Sequence, residues 1–486
     1  MRRLAPFVLL LFGALCLLCS CTKRNEESLV PDPADPAPTR YAITATLLAE
    51  EKVLSVETDL SFSCPADDLA AVKLRLYANA YREGNAVVTE DKVAATYPRG
   101  AVNYGNAEIL EATADGAKAA FDLGQGGTLL TLRLGRKYKK GEPIALRLSE
   151  RVLLANCRHR LGYADGYYFL SDFYPVLCPF RDGKYLTYDY TPYGDPFLFD
   201  AADFSVDLSL PLGCVAAASA FETRRETQGT FSRYYYELSG ARDFAVVCSE
   251  KLRCVEGTAG EIPIRYYCES DRKKADTLAK IQNAVQTYEE LFGAYPYPTY
   301  TLVLAPFFEA GVEHSGLSVL SSALSVAERG ETILHETAHQ WWYGKVGNDG
   351  FKDAWMDEGL AEYAVALAYK RSGASGAYSE KLSAAEDAFA LRLAIRGKDG
   401  ARFDLPLSEM QEGYYDRAYC GGLLLFASLA ERAGEDRLLA ALKHYADRYA
   451  TKVAASDDLI SCLSDSLGED LSSFFTAWLS ATVPVQ

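Results

Sequence analysis

The chain has 486 residues, of which 49% are hydrophobic, so it is long enough for two or three domains with substantial cores. Its 66 acidic residues outnumber the 50 lysines and arginines, which gives a formal net charge of −16 at pH 7. This acidity, without a basic patch, excludes nucleic acid as an expected partner. The chain has only five histidines, so a close pair of them is informative.

The N-terminal segment predicts export and attachment to a membrane. Residues 1–20 combine a charged start with a short apolar run, which is typical of a signal peptide and too short for a spanning helix. The sequence Leu-Cys-Ser-Cys at 18–21 resembles a bacterial lipobox, so we expect a lipid on Cys21; an ordinary secretion signal is the alternative. Residues 21–39 are rich in proline and predict a semi-extended tether. We therefore expect anchoring to a bacterial outer membrane, facing the periplasm or the exterior.

Residues 40–255 predict an N-terminal domain of β structure. Apolar and polar residues alternate with a period of two in several runs, as they do in half-buried strands. Turn-rich stretches separate these runs. The clearest examples are residues 41–47, 72–77 and 205–210.

From residue 256 onwards the pattern is one of helices with an occasional strand. Residues 272–292 have helical spacing, and 301–304 form a short apolar strand. Amphipathic helices are predicted closer to the C-terminus, at 422–433, 436–449 and 470–479. The chain is therefore predicted to be an α+β protein, with a β domain followed by a second domain at 256–486.

The sequence His335-Glu336-Thr337-Ala338-His339 predicts a catalytic metal site. On a helix, positions 335 and 339 lie one turn apart on the same face, so both imidazoles can bind one ion. Glu336 lies about 100° further round the helix, where it can flank the ion and take a proton from water. Apolar flanks indicate a buried helix, with Gly344 as its expected C-terminal end.

Glu358, which follows His339 after eighteen intervening residues, is expected to complete the metal site. Residues 354–369 regain helical spacing after a polar turn, so a second helix packed antiparallel to the first would return Glu358 to the histidines. Two nitrogens and one carboxylate leave a fourth position open, which is typical of catalytic zinc. We expect one Zn²⁺ ion, a choice over other divalent metals that follows from the ligand types. A structural zinc site is disfavoured, because no cysteines have C-x-x-C spacing.

These residues resemble the aminopeptidase N family of gluzincin metallopeptidases. The stretches HETAHQWWYG at 335–344 and WMDEGLAEY at 355–363 are similar to the family pattern of HExxH, eighteen residues and Glu within W-x-N-E-G-x-A. Asp357 replaces the family's asparagine. The resemblance implies an N-terminal β-sandwich or saddle, a thermolysin-like catalytic domain and a short C-terminal helical lobe. It also implies that peptides are the substrates.

The resemblance further implies an anchor for the substrate's amine. Residues 310–316, AGVEHSG, are similar to the family's G-x-M-E-N strand, whose glutamate binds the free α-amine, and Glu313 is its match. Val312 replaces methionine and His314 replaces asparagine. The glutamine segment with which some family members also bind the amine has no counterpart in this sequence. Asp172 stands near its expected place.

A second implied residue lies further along the chain. Residues 415–424, YDRAYCGGLL, resemble the family's Y-x-K-G segment, whose tyrosine donates a hydrogen bond to the oxyanion of the tetrahedral intermediate. Tyr419 is the match, and Tyr414 is a second candidate. Cys420 is either an inert small hydrophobe or a thiol exposed at the cleft.

The chain is therefore predicted to be a zinc-dependent aminopeptidase. In this interpretation Glu336 is the general base, Tyr419 stabilises the oxyanion together with zinc, and Glu313 fixes the N-terminal amine. Two alternatives stay open: a zinc endopeptidase with an altered amine anchor, and a surface lipoprotein that binds peptides without turnover. Comparing a free-amine peptide with its acetylated form distinguishes the two kinds of peptidase. The presence of every residue that the chemistry needs disfavours the binding protein.

Overall fold

A computed structural model describes residues 37–482, so the predicted signal peptide at 1–20 and most of the predicted tether at 21–39 lie outside the described residues. The described chain begins with a β-rich part. Its strands and one short helix are, in chain order, β1 (Arg40–Leu48), β2 (Val53–Ser63), β3 (Leu69–Arg75), α1 (Val93–Thr96), β4 (Asn106–Ala114), β5 (Ala117–Lys118), β6 (Phe121–Gly124), β7 (Leu129–Tyr138), β8 (Pro143–Leu153), β9 (Leu161–Ala164), β10 (Tyr167–Leu170), β11 (Val176–Leu177), β12 (Phe180–Arg181), β13 (Lys184–Tyr185), β14 (Ala202–Pro211), β15 (Val215–Ala218), β16 (Arg224–Gln228), β17 (Phe231–Ala241) and β18 (Val246–Ser249).

An eight-stranded sheet is the largest element of the β-rich part. Its strand order is β16-β17-β14-β1-β2-β8-β4-β5, and its neighbouring strands are antiparallel except for the parallel pair β1 and β14. Alternate residues of β1 and β2 are buried, because a period of two places one face of each strand on the core. Two four-stranded sheets, β15-β18-β10-β9 and β11-β3-β7-β6, contribute to the same core. The β structure predicted from alternation is confirmed.

A mixed sheet surrounded by helices follows. Its elements are, in chain order, β19 (Arg253–Ala259), β20 (Ile262–Cys268), α2 (Lys274–Phe292), β21 (Tyr300–Ala305), β22 (Gly311–His314), β23 (Leu317–Ser321), α3 (Val326–Ala338), β24 (Gly347–Asn348), α4 (Gly350–Asp353), α5 (Trp355–Arg371), α6 (Ser375–Ala401), α7 (Gly422–Ala433), α8 (Glu435–Arg448), β25 (Val453–Ala454), α9 (Ser456–Leu467) and α10 (Ser472–Leu479). A π-helical turn at Tyr415–Gly421 leads into α7.

The five-stranded sheet of this second part has the order β19-β20-β21-β23-β22, which places β22 at its edge. Strands β20, β21 and β23 are parallel neighbours, whereas β22 runs antiparallel to β23. The predicted boundary between residues 255 and 256 falls within β19. A β-rich part followed by a mixed sheet and helices agrees with the predicted α+β architecture. Among residues 37–482, no helix is both long enough and apolar enough to cross a membrane.

Helix α3, which carries most of the HExxH sequence, has well-defined ends. At its start, Glu328 N donates to Ser325 Oγ at 3.3 Å and Ser325 N donates to Glu328 Oε2 at 2.8 Å, which is a capping box. The helix ends at Ala338, so the predicted end at Gly344 was wrong. After Ala338 the chain turns, and Gly344 N donates to the carbonyl of His339 at 2.8 Å.

Helices α5 and α7 approach each other backbone to backbone at two glycines. A Cβ added at Gly359 would lie 2.7 Å from the Gly422 Cα, and one added at Gly422 would lie 2.5 Å from the Gly359 Cα. A side chain at either position would therefore push the helices apart. Since Glu358 precedes Gly359 and the turn with Tyr419 leads into Gly422, this contact sets the separation of two predicted site residues.

We expect Gly359→Ala to destabilise the protein by about 1–3 kcal/mol, because an extra methyl group in a packed core forces backbone shifts. Thermal unfolding of the purified variant measures the effect as a lowered Tm. Gly376→Ala on α6 is the matched control, because a Cβ there would meet no atom within 4 Å. The control should be neutral or slightly stabilising, since alanine favours helix more than glycine does. Equal Tm values for the two variants would contradict the role of the Gly359–Gly422 contact.

Candidate active site

Three side chains, from α3, the turn after it and α5, converge on one point. His335 Nε2 lies 3.0 Å from His339 Nε2, and Glu358 Oε2 lies 3.3 Å from the first nitrogen and 3.4 Å from the second. Among residues 37–482, this group has the proximity needed to hold a metal ion, with ligand atoms within 4.8 Å of one another. The separations fit tetrahedral zinc, whose ligand atoms at about 2.0–2.2 Å from the ion lie roughly 3.3 Å apart. The structure therefore brings the three predicted ligands together.

Negative charge around the two imidazoles favours a cation at this point. Burial by itself would raise the pKa of Glu358, but the contacts with His335 and His339 hold that pKa well below its usual range. Burial by itself would lower the pKa of His335, but Glu358 and Glu362 raise it to about 10. These carboxylates attract positive charge, which a proton or a divalent cation can supply. A set of two imidazoles and one carboxylate fits zinc.

Further contacts hold each imidazole in place. His335 Nδ1 lies 2.9 Å from Glu362 Oε1, and His339 Nδ1 donates to the carbonyl of Trp342 at 3.0 Å. Both contacts engage Nδ1 and leave Nε2 to face the point of convergence. The sequence analysis missed Glu362. It follows Glu358 by four residues on one helix, and this spacing places both carboxylates on the same face.

Lys381 of α6 forms an ion pair with Glu362, on the carboxylate oxygen that does not contact His335. Its Nζ lies 2.5 Å from Glu362 Oε2 and 2.6 Å from Glu331 Oε1, and Tyr369 donates to the other oxygen of Glu331 at 3.0 Å. The side chains of Lys381 and Glu362 are only 9% and 8% exposed, so solvent screens their attraction little. The contacts form a continuous series from α6 to the metal ligand His335.

Glu336 lies beside the metal ligands with a free carboxylate oxygen. It is buried, and its Oε2 has no hydrogen-bond partner within the described part of the chain. Gly311, at the start of β22, permits this position, because a Cβ there would lie 2.7 Å from Glu336 Cδ. Burial, with the neighbouring carboxylates of Glu313 and Glu358, raises the pKa of Glu336 to about 8. A free carboxylate with high proton affinity suits a general base.

Tyr419 also lies at the site. Its ring is nearly parallel to that of His335, with centroids 5.6 Å apart, and its hydroxyl donates to Glu358 Oε1 at 2.6 Å. Burial raises the pKa of Tyr419 well above its usual value, so the hydroxyl stays protonated and can donate. The ring of Tyr414, the second candidate, lies 5.8 Å from that of Tyr419. Cys420 is buried, and burial raises its pKa to about 12, so it is a small hydrophobe rather than a reactive thiol.

Glu313 lies in a small polar cavity of about 20 Å³ next to the main cleft. Arg160 and Asp195, which form an ion pair, line both the cavity and the cleft. Asp172 lines the cavity as well, and burial followed by the charge of Asp243 raises its pKa to about 7. Several carboxyl groups and the two guanidinium groups of Arg160 and Arg242 therefore line the cavity at this end of the cleft. The sequence analysis missed Arg160 and Asp195.

The strand that carries Glu313 is fixed from both sides. His314 Nδ1 lies 2.5 Å from Asp243 Oδ2 in the β-rich part, and the His314 carbonyl accepts from Gln340 Nε2 at 3.0 Å. Gln340 Oε1 accepts in turn from Gly316 N at 2.9 Å. Gln340 directly follows His339, so these hydrogen bonds fix β22 relative to the predicted metal ligands.

The main cleft lies between the β-rich part and the helices and has a volume of about 420 Å³. His335, Glu336 and Tyr419 line it together with side chains of the β-rich part. A volume of this size accommodates a short peptide segment. The fold and the site together define a class of protein, a metallopeptidase with an HExxH helix packed against a mixed sheet.

Solved structures have the same fold. The M1 zinc metallopeptidase E323A mutant bound to Tyr-Ser-Ala substrate, from Deinococcus radiodurans, matches with a TM-score of 0.67 and 18% identity, over 93% of this chain and 96% of that one. Another structure of the M1 zinc metallopeptidase from this organism matches with a TM-score of 0.65 and 19% identity, over 91% and 93% of the two chains. The predicted two-part fold is confirmed.

Sequence comparison finds relatives of the second part of the chain. Residues 277–478 match the peptidase family M1 domain. Aminopeptidase M1-B from Oryza sativa subsp. japonica is 25% identical over 299 residues, which are 57% of this chain and 34% of that protein. Aminopeptidase N from Lactococcus lactis subsp. lactis is 28% identical over 214 residues, 40% of this chain and 25% of that protein. The chain thus spans about a third or less of these relatives. Residues 277–478 are thus similar to the M1 peptidase domain, and the predicted resemblance to the aminopeptidase N family is confirmed.

We expect Glu362→Gln to lower the affinity for zinc about 10–100-fold, the usual effect of removing a carboxylate that holds a metal-binding imidazole. Competition with a chromophoric chelator measures the dissociation constant without reference to activity. Glu331→Gln is the matched control, because Glu331 also contacts Lys381 but lies one contact further from His335. The control should bind zinc with nearly wild-type affinity. An equal loss in both variants would argue against a specific effect of Glu362 on His335.

Proposed function

We propose that this protein is a zinc-dependent aminopeptidase that removes N-terminal residues from peptides. The observation that carries the proposal is the convergence of His335, His339 and Glu358, with the free carboxylate of Glu336 beside them. Glu313 lines a small cavity that shares Arg160 and Asp195 with the main cleft, which supports its proposed role as the amine anchor. This arrangement combines a place for one zinc ion, a base and an anion for the substrate's N-terminus.

The residues of the chain have distinct parts in the proposed reaction. Zinc, when bound, would supply Lewis-acid chemistry that makes water a stronger acid and polarises a carbonyl. Glu336 takes the proton of the attacking water and delivers it to the leaving amine, as its free oxygen permits. The Tyr419 hydroxyl, which donates to Glu358 in this structure, serves as the hydrogen-bond donor for the oxyanion. Loss of one such donor typically lowers the rate about a hundred- to a thousand-fold.

Charge at the Glu313 end of the site favours a free amine. This end is lined by more acidic than basic side chains: five carboxyl groups against the guanidinium groups of Arg160 and Arg242. The five are those of Asp172, Asp195, Asp243, Glu313 and Asp357. A positively charged α-ammonium group would reduce this imbalance, whereas an acetylated amine would leave it in place. This supports an aminopeptidase over the alternative of an endopeptidase.

The principal test compares free-amine and N-acetylated aminoacyl coumarin amides as substrates of the zinc-loaded protein. We expect cleavage of the free-amine compounds alone. Glu336→Gln should lower kcat by more than the roughly thousand-fold upper effect of one oxyanion donor, because the attack itself depends on this base. Glu386→Gln, an exposed glutamate on α6, is the matched control and should retain full activity.

Two results would contradict the proposal in different ways. Cleavage of acetylated peptides at internal bonds would indicate the endopeptidase. A zinc-loaded protein that binds peptides but turns over none would indicate the peptide-binding lipoprotein.

We also propose that the protein is attached to a membrane through a lipid on Cys21. The support is the lipobox-like sequence at 18–21, which lies outside the described residues. In detergent phase separation of the expressed full chain, we expect the wild type in the detergent phase and Cys21→Ser in the aqueous phase. Cys19→Ser is the matched control and should behave as the wild type does. A wild-type protein in the aqueous phase would rule out the lipid.

A further inference from the structure

We propose that Cys214 and Cys248 are joined by a disulfide bond in the exported protein. The inference concerns a covalent cross-link and goes beyond the proposed aminopeptidase chemistry. It rests on the export that a lipid on Cys21 would require, because disulfides form and persist outside the cytoplasm. In the structure the two cysteines are unbridged, and both lie in the large apolar core.

The two cysteines lie on the same face of a four-stranded sheet. Strands β15 and β18 are antiparallel neighbours, with Ala216 opposite Cys248 and Val215 opposite Ser249. Cys214 directly precedes Val215. Because side chains alternate between the two faces along a strand, the Cys214 side chain lies on the face that carries Ala216 and Cys248.

The packing of the two strands agrees with this assignment of faces. Cys214, Ala216 and Cys248 all belong to the large core. Ala217 and Val247, at the intervening positions, belong instead to a second core that includes side chains of the five-stranded sheet. Cys214 is 4% exposed and Cys248 is 0% exposed, so both thiols are shielded from solvent within one apolar layer.

The two thiols also contact each other directly. A hydrogen bond between them lowers the pKa of Cys214 and raises that of Cys248. Cys214 lies in the turn that leads into β15, where its N donates to the Pro211 carbonyl at 3.0 Å. Cys214 is not part of the ladder between β15 and β18, so its movement towards Cys248 breaks no hydrogen bond of that ladder. The buried thiol of Cys157 donates instead to a backbone acceptor, the Leu161 carbonyl, at 3.5 Å.

The cross-link forms by two thiol–disulfide exchanges with an oxidant that itself carries a disulfide. The thiolate of one cysteine attacks the oxidant and gives a mixed disulfide. The thiolate of the other then attacks the sulfur of the first cysteine and releases the oxidant as a dithiol. Two S–H bonds of the protein are replaced by one S–S bond, and two electrons and two protons pass to the oxidant. Because Cys248 is fully buried in the folded chain, we expect the exchange to occur during folding.

The cross-link would stabilise the sheet that lies between the two parts of the chain. One face of β15 and β18 packs on the large core, and the other packs against β21, β22 and β23. Val312 of β22, which directly precedes Glu313, belongs to this second core. A bond between Cys214 and Cys248 closes a loop of about 35 residues, which lowers the conformational entropy of the unfolded chain.

The first experiment maps the cysteines of the full chain, expressed with its own N-terminal segment and purified without reductant. The protein is alkylated with iodoacetamide in denaturant, digested and analysed by mass spectrometry. We expect one linked pair of peptides, which contains Cys214 and Cys248, and an alkylated Cys462. Alkylation of both Cys214 and Cys248, or a link from either to another cysteine, would overturn the proposal.

The same peptides separate the two ways in which the proposal can fail. Free thiols in a chain that keeps residues 1–20 would overturn the export and the cross-link together. Free thiols in a chain that has lost residues 1–20 would overturn the cross-link alone.

The second experiment measures Tm with and without dithiothreitol. We expect the reductant to lower the wild-type Tm by about 3–8 °C, the size expected for loss of a cross-link that closes such a loop. Cys248→Ala should have the lower Tm and no response to the reductant. Cys462→Ala, at another buried cysteine, is the matched control and should respond as the wild type does. A response that persists in Cys248→Ala, or a wild-type Tm that does not change, would contradict a stabilising bond between Cys214 and Cys248.

Discussion

Buried negative charge is the constraint on which the rest of the site depends. Glu336, Glu358 and Glu362 are all buried within one small region, and a buried carboxylate without a partner is costly. The chain supplies Lys381 for Glu362, and two imidazoles face Glu358. The remaining imbalance favours a divalent cation between the imidazoles, and burial together with this imbalance raises the pKa of Glu336. The cost of burying these carboxylates thus accounts for both the candidate metal site and the proton affinity of the base beside it.

The sequence predicted best what depends on local geometry. His335 and His339 are related by one helical turn. Glu358 lies on α5, the next long helix, and packing of α5 against α3 brings it to the two histidines. The alternation in the β-rich part was equally informative, because burial of one sheet face imposes a period of two. Glu313 and Tyr419 required the family resemblance, since neither a strand glutamate nor one tyrosine among 32 stands out by itself.

Contacts between distant parts of the chain were beyond prediction. Arg160 and Asp195 lie outside regular strands and helices, so no periodic pattern indicates that they form a pair. The end of α3 was misplaced for a related reason. The chain leaves the helix at Ala338, and the side chain of Gln340 then bonds to the backbone of the hairpin formed by β22 and β23. These tertiary hydrogen bonds outweigh the local signal of Gly344.

The two parts of the chain contribute different side chains to the cleft. In the proposed reaction, α3, the turn after it and α5 supply the metal ligands and the base, whereas the β-rich part supplies Val87, Tyr190 and the Arg160–Asp195 pair. The contact between His314 and Asp243 joins β22, which carries Glu313, to the β-rich part. Substitutions in the walls from the β-rich part can therefore alter the shape of the cleft without moving the candidate metal ligands. Such a division lets one arrangement of candidate ligands be combined with clefts of different shape.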